Sequence, residues 1–479
     1  MTNSAPFPPS RPFAGITRRT AMAGALGTAA LVAANPALGA TPARRPNFVF
    51  IMADDLGYAD LSCYGRREYR TEALDVLAAQ GMRFTDGYAN SAVCSATRVG
   101  LITGRYQYRL PVGLEEPLRN PELGLPADHP TLPSLLRDKG YHTALVGKWH
   151  MGHLPKFGPL QSGYDEFWGN RGGGVDYFTH QINAEEDLWD GDVRIEQSGY
   201  YTDMLADRAI TFLEQRAEAD KPFLLSLHFT APHWPWEANN EAGRAESARI
   251  HGKTGPGLHI ADYDGGTMDT YAEMVLSLDR NVGRVLARLA QLGLEQDTVV
   301  VFTSDNGGER FSDNWPFTGM KSELLEGGIR VPLIVRWPGV TAPGSVSYTP
   351  AISMDFLPTF LAAAGGLNAD YQPDGTDIGP ALRGGELPDR TLFWRFLNRN
   401  QKAARHGRYK YLSIDGHDYL FDVVADPLER ANLKDRMPEV FADLQTAFET
   451  WNAGMLNDPD AYSYGFTPAE LADHFGWDS

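Results

Sequence analysis

Cys94 heads the run Cys94-Ser95-Ala96-Thr97-Arg98-Val99-Gly100-Leu101-Ile102-Thr103-Gly104-Arg105, with an arginine four residues after it. If the run is helical, Cys94 and Arg98 lie about one turn apart on the same face. The free N–H groups and positive dipole end of a helix N-terminus favour an anion there. A thiol, a guanidinium and a helix start together describe a nucleophile facing an oxyanionic substrate. A cysteine taken alone also suits an ordinary core position, where it behaves as a small hydrophobe, so the window needs support from elsewhere in the chain.

That support comes from four short apolar runs that each end in polar residues able to do chemistry. Asn47 to Met52 leads to Asp54 and Asp55, and Thr143 to Val146 leads to Lys148 and His150. Phe223 to Phe229 leads to His233, and Thr298 to Phe302 leads to Asp305 and Asn306. With Val331 to Val335, these runs read as strands of a parallel sheet covered on both faces. Helical patterns lie between them. Thr71 to Gln80 stops at Gly81, Thr131 to Lys139 stops at Gly140, and Tyr271 to Leu292 carries apolar positions at 275, 278, 282, 285, 286 and 289 before Gly293.

Strands alternating with helices predict an α/β fold with a large mixed, mostly parallel sheet flanked by helices. Ligands of such sheets bind at the carboxyl ends of the strands, so residues far apart in sequence converge on one rim. Asp54, Asp55, Asp305 and Asn306 offer only hard oxygen donors, which suit Ca²⁺ or Mg²⁺ rather than zinc. An adjacent Asp pair by itself equally suits a turn or a helix cap.

The chain has 479 residues, 43% of them hydrophobic, enough to bury a large core. Its net charge of −18 argues against a general nucleic-acid binder and a basic membrane-surface protein. A few cations focused in a cleft still outweigh a diffuse acidic exterior at short range. Near the start, Thr17-Arg18-Arg19-Thr20-Ala21-Met22 precedes a mild Ala- and Gly-rich stretch ending near Ala40. It resembles a twin-arginine export signal over residues 1–40 and implies a periplasmic or secreted protein; the stretch is too broken to insert stably in a membrane. The rest divides into a catalytic domain, 41–365, and a subdomain, 366–479, expected to hold a small antiparallel sheet and a helix from Pro438 to Trp451. The only two cysteines are Cys63 and Cys94; they either form a bridge or leave Cys63 as a buried thiol.

The motifs now carry a resemblance. Cys94, Arg98, Leu101-Ile102 and Thr103-Gly104, with Gly140-Tyr141-His142-Thr143-Ala144-Leu145-Val146-Gly147-Lys148-Trp149-His150, resemble the two signatures of the formylglycine-dependent sulfatases of the alkaline phosphatase superfamily. Ala96 departs from the pattern, standing where the usual motif has the proline that helps the modifying enzyme recognise its peptide. The resemblance implies that a formylglycine-generating or equivalent enzyme converts Cys94 to formylglycine. One hydroxyl of its hydrate then attacks sulfur, and deprotonating the other ejects sulfate and restores the aldehyde.

It further implies Ca²⁺ bound by Asp54, Asp55, Asp305, Asn306 and a position-94 oxygen. Arg98 holds the formylglycine, Lys148 contacts both it and the sulfate, and His150 takes the proton in the elimination. His233, in Thr230-Ala231-Pro232-His233-Trp234-Pro235, and Lys321, in Gly319-Met320-Lys321-Ser322-Glu323, bind sulfate and protonate the leaving oxygen. The expected activity is sulfate-ester hydrolysis. The alternatives are a phosphodiester or phosphonate monoester hydrolase using the same aldehyde and a non-catalytic sulfated-glycan binder. Trp168, Tyr177, Phe178, Trp189, Trp234, Trp236 and Trp315 lie in expected loops near the rim, where they either stack on sugar rings, favouring a sulfated saccharide, or serve ordinary packing.

Overall fold

β1, Asn47–Ala53, is buried along its whole length in the computed structural model, which describes residues 45–114, 116–182, 185–253, 265–367, 370–458 and 461. The leader expected at 1–40 lies outside the described residues. Successive side chains of a strand point to opposite faces, and β1 is apolar on both. Val49 and Ile51 join one core, and Phe48, Phe50 and Met52 join the other.

β1 belongs to a ten-stranded sheet. The others, in chain order, are β2 (Met82–Phe84), β3 (His142–Gly147), β4 (Glu166–Gly169), β5 (Trp189–Asp190), β6 (Val193–Arg194), β7 (Phe223–His228), β8 (Thr298–Ser304), β9 (Leu333–Arg336) and β10 (Ser345–Ser347). The spatial order is β10-β2-β9-β8-β1-β7-β3-β4-β5-β6. β8, β1, β7, β3 and β4 are parallel, as expected for runs without polar alternation. β9 is antiparallel to both β8 and β2, which corrects the placing of Val331 to Val335 among the parallel strands. A parallel return needs a crossover, usually a helix, and the segment from β8 to β9 holds only the one-turn helix Glu326–Ile329. The chain therefore re-enters the sheet at the end it left.

Helices cover both faces: α1 (Glu72–Gln80), α2 (Cys94–Thr103), α3 (Leu132–Asp138), α4 (Tyr201–Ala217), α5 (Met268–Gln291) and α6 (Phe356–Ala363). The expected stripe of α5 is buried at Val275, Leu278, Val282, Val285 and Leu289, with Leu286 packed against the same core. Thr267 caps its start by accepting the Thr270 amide at 3.1 Å. A separate four-stranded antiparallel sheet follows, β11 (Thr391–Phe396), β12 (Gln401–His406), β13 (Tyr409–Ile414) and β14 (His417–Asp422). Helix α7 (Pro438–Asn452) lays Leu444 and Phe448 against Tyr411 and Leu420 of this sheet. No helix among the described residues is long and apolar enough to cross a membrane.

Candidate active site

Asp54–Asp55, Lys148–His150, His233 and Asp305–Asn306 follow the carboxyl ends of β1, β3, β7 and β8, and α2 starts against Asp54 and Asp55. Val93 is extended just before α2, and Thr97 closes a clasp in which its hydroxyl accepts the Ser91 amide and donates to the Ser91 carbonyl, both at 3.0 Å. Cys94 Sγ thereby lies 3.3 Å from Asp54 Oδ1 and 3.8 Å from Asp55 Oδ1. Both cysteines are free thiols: Cys94 is buried, and Cys63 is half-buried rather than buried. Close backbone approaches set the loops. A Cβ at Gly147 would sit 1.9 Å from the His228 carbonyl oxygen, and one at Gly307 would sit 1.8 Å from that of Gly327. Asp55, His150 and Ser322 hold positive φ angles of 60°, 57° and 71°, a strained region for residues with a Cβ that persists where surrounding structure enforces it.

Cations and carboxylates pair within this group. Arg98 Nη2 donates to Asp305 Oδ2 at 2.7 Å, Lys148 Nζ pairs with Asp54, and Lys321 Nζ lies 2.6 Å from Asp55 Oδ2. His233 Nε2 stands 3.5 Å from that same oxygen. All these side chains are buried. Burial pushes Asp54 up to about 8, with Asp305 adding and Lys148 and Arg98 opposing. Burial opposes ionisation of Asp305 too, but Arg98 and Lys148 hold it below the usual carboxylate value. Burial, with Asp305 and Asp54, pushes the Cys94 thiol well up, so the thiol as encoded resists becoming a thiolate.

The donors also suit a metal ion. Asp54, Asp55, Cys94 and His233 each offer a ligand atom, all within 4.8 Å of one another. Asn306 Nδ2 donates to Asp55 Oδ1 at 2.7 Å, while its Oδ1 is buried without a hydrogen-bond partner. An unpartnered buried carbonyl beside two carboxylates fits a hard cation. In the same group, Asp305 Oδ1 accepts the Asp55 amide at 3.2 Å and its Oδ2 faces Arg98.

The sequence model of the sulfatase family matches residues 46–367. The chain belongs to the sulfatase family. It is 31% identical over 411 residues to N-acetylgalactosamine-6-sulfatase of Canis lupus familiaris, covering 79% of this chain and 74% of that protein. It is 32% identical over 416 residues to arylsulfatase A of Homo sapiens, covering 82% and 79%. Among solved structures, Ps i-CgsB in complex with k-i-k-neocarrahexaose aligns with a TM-score of 0.78 at 28% identity, covering 91% of this chain and 99% of that one. The protein is a sulfuric ester hydrolase.

Around these residues of the sulfatase lie others that sequence reasoning missed. His150 Nε2 lies 2.7 Å from Glu116 Oε1, and Glu116 caps the single-turn 3-10 helix Pro117–Arg119, too short for a periodicity to flag it. His228 Nδ1 is 3.4 Å from Arg98 Nη1, and burial with Arg98 pushes this histidine down to about 3. Its place at the end of β7 was a usable signal. Glu309, just past Asp305–Asn306, is pushed up to about 8 by burial and the nearby Asp55 and Asp54, against Lys321. The aromatic residues divide differently from the stacking reading. Trp168, Tyr177, Trp189, Trp234 and Trp236 are buried, and Phe178 is half-buried beneath Arg244. Those six serve packing, and Trp315, 63% exposed, is the one that presents its ring to solvent.

Proposed function

We propose that this sulfatase is exported and hydrolyses sulfate esters of carbohydrates, using a formylglycine made from Cys94 and a bound Ca²⁺. The observation that carries the reading is Cys94 Sγ 3.3 Å from Asp54 Oδ1, beside carboxylates paired with Arg98, Lys148 and Lys321. Formylglycine supplies, as its hydrate, two hydroxyls on one carbon, so that one can attack sulfur and the other can assist release. Asp54, Asp55, Asp305, Asn306 and the position-94 oxygen would hold a calcium ion, which would supply positive charge to polarise a sulfate oxygen.

By analogy with phosphoryl transfer, a loose transition state leaves the protein mainly positioning and charge stabilisation to provide. Arg98 and Lys148 counter the developing charge at position 94. His233 and Lys321 bind sulfate and deliver a proton to the leaving oxygen, and His150 accepts the proton of the second hydroxyl. Support for a saccharide substrate comes from the N-acetylgalactosamine-6-sulfatase relative, the neocarrahexaose bound by the solved neighbour and the exposed Trp315 ring. Support for export to the periplasm or beyond comes from Arg18-Arg19 and the mild apolar stretch after them.

The test is mass analysis of the Cys94 peptide from protein matured in its own host, joined to assays on sulfated saccharides, aryl sulfates, phosphodiesters and phosphonate esters. An aldehyde at position 94 with preferred turnover of sulfated saccharides is expected. Preference for the phosphorus esters by orders of magnitude overturns the reading, as does an unmodified thiol with glycan binding and no turnover.

A further inference from the structure

We propose that Glu116 is a positioning residue that fixes the tautomer and orientation of His150, leaving Nδ1 as the atom that accepts a proton from position 94. The proposal deepens the reading above and rests on its assignment of His150 as a base.

The geometry is specific. His150 Nε2 lies 2.7 Å from Glu116 Oε1, and Glu116 Oε2 lies 3.5 Å from Ser95 Oγ, next to Cys94. Two residues on, the Leu118 carbonyl lies 3.1 Å from His153 Nε2, so two contacts seat this loop on the segment carrying His150. Burial disfavours a charge on Glu116, but His150 and Lys148 hold its carboxyl below the usual glutamate value. An ionised carboxylate only accepts, so Nε2 must carry the hydrogen, and a neutral imidazole then keeps its lone pair on Nδ1. His150 Nδ1 is buried and has no hydrogen-bond partner.

The ring is clamped as well as oriented. Its backbone holds φ +57°, and its amide donates to the Arg171 carbonyl at 3.0 Å. Gly173 lies against the ring so closely that a Cβ there would come 2.6 Å from Cε1. In the proton transfer, an O–H bond at position 94 breaks, an N–H bond forms at Nδ1 and the electron pair stays on oxygen. Glu116 keeps its charge and stabilises the imidazolium. Burial depresses the basicity of His150 most, Glu116 opposes it, and the facing cations Lys148 and Arg98 depress it further.

The experiment uses full-length protein, wild type and Glu116→Gln, Glu116→Asp and Glu116→Ala, with equal melting temperatures taken as proof of folding. The first readout is ¹⁵N-histidine NMR of protein retaining the Cys94 thiol, with His150→Gln identifying the signal. Wild type is expected to show the Nε2–H tautomer. In Glu116→Gln the His150 titration moves down by about one pH unit, because an opposing charge at this distance is worth about that much or more.

The second readout is kinetics of the modified enzyme. Glu116→Gln lowers kcat by about 10- to 100-fold, the scale of weakened general-base catalysis, with KM near wild type and the acid limb moved to lower pH. Glu116→Asp recovers part of the loss, and Glu116→Ala shows the largest. An Nδ1–H tautomer, or an unchanged titration in Glu116→Gln, overturns the proposal. So does a raised KM at unchanged kcat, which would make Glu116, with 21% of its side chain exposed, a substrate contact. Wild-type enzyme that turns over no sulfate ester would instead defeat the reading of the reaction, and the NMR result would stand apart from it.

Discussion

Arg98 Nη2 lies 2.7 Å from Asp305 Oδ2, with neither side chain exposed, and this pair ties the helix that starts at Cys94 to the end of β8. Arg98 Nη1 also donates to the Lys148 carbonyl at 3.1 Å, so one guanidinium joins α2 to loops after two strands. Arg98→Ala leaves Asp305 and Asp54 without this cation. Removing one partner of a buried pair costs about 3–5 kcal/mol, and losing a charge-stabilising donor costs about 10²- to 10³-fold in kcat. Arg98→Lys restores charge without the planar fork, so it should recover more stability than turnover. Thermal melts and kcat on the three proteins check this; normal kcat in Arg98→Ala would remove Arg98 from the chemistry.

The metal preference should depend on the state of position 94. Asp54, Asp55, Cys94 and His233 together offer two carboxylates, a thiol and an imidazole, a set that includes ligands zinc favours. Replacing the thiol sulfur with oxygen hardens the set toward Ca²⁺. Isothermal titration should therefore find Zn²⁺ the tighter ligand of the unmodified protein and Ca²⁺ relatively favoured after modification. Asn306→Ala, which removes the unpartnered buried Oδ1, should weaken Ca²⁺ binding. At a hundred times Kd, Ca²⁺ should add about 2.7 kcal/mol of stability, lost on chelation. An unchanged ratio of Zn²⁺ to Ca²⁺ affinity in the two states would refute the argument.

The strands that carry the site were legible because burial on both faces leaves a continuous apolar run, and Asp54, Lys148 and Asp305 were legible as the polar residues just past those runs. The direction of β9 was not, since direction belongs to the connection between strands and not to the residues of the strand. β5 and β6, at two residues each, are too short for any period to register. Glu116 was hidden for a related reason: its partner is set by the path of a connection built from three-residue 3-10 helices. The aromatic residues show that residue type does not report burial, since Trp234 and Trp315 sit in similar Trp-Pro contexts yet only Trp315 is exposed.

Gln401 of β12 makes a clasp on the loop that delivers Lys321. Its Oε1 accepts the Leu324 amide and its Nε2 donates to the Ser322 carbonyl, both at 2.8 Å. The small sheet thus holds a loop whose Ser322 is at positive φ. Gln401→Ala should loosen Lys321 without touching substrate, and misplacing a catalytic group by about 1 Å can cost about 10²-fold. Steady-state kinetics should show kcat falling, with Gln401→Glu failing to rescue it because a carboxylate cannot donate to the Ser322 carbonyl. Wild-type kcat in Gln401→Ala would show that the sheet does not position this loop.

The same sheet brings a buried charge cluster with a definite pH signature. Lys410 Nζ lies 2.9 Å from Glu326 Oε1 and 3.0 Å from Glu429 Oε1, and all three side chains are fully buried. Burial opposes the charge on Glu326, but Lys410, Arg330 and Arg405 hold it down to about 2. Burial pushes Glu429 up to about 7, with the charge of Glu326 adding and Lys410 opposing. Glu326 therefore contributes stability above the ordinary glutamate value of 4.5, lost as pH falls through about 2. Glu429 has the opposite sign: its folded form holds the proton more tightly, so its contribution is complete below 4.5 and is lost as pH rises through about 7. Glu429→Gln mimics the protonated form at every pH. It should match wild type in stability near pH 4 and exceed it at pH 8 by roughly 3 kcal/mol, the scale of a shift of this size. Chemical denaturation at the two pH values decides the matter, because an equal effect at both would mean that Glu429 does not titrate between the folded and unfolded states.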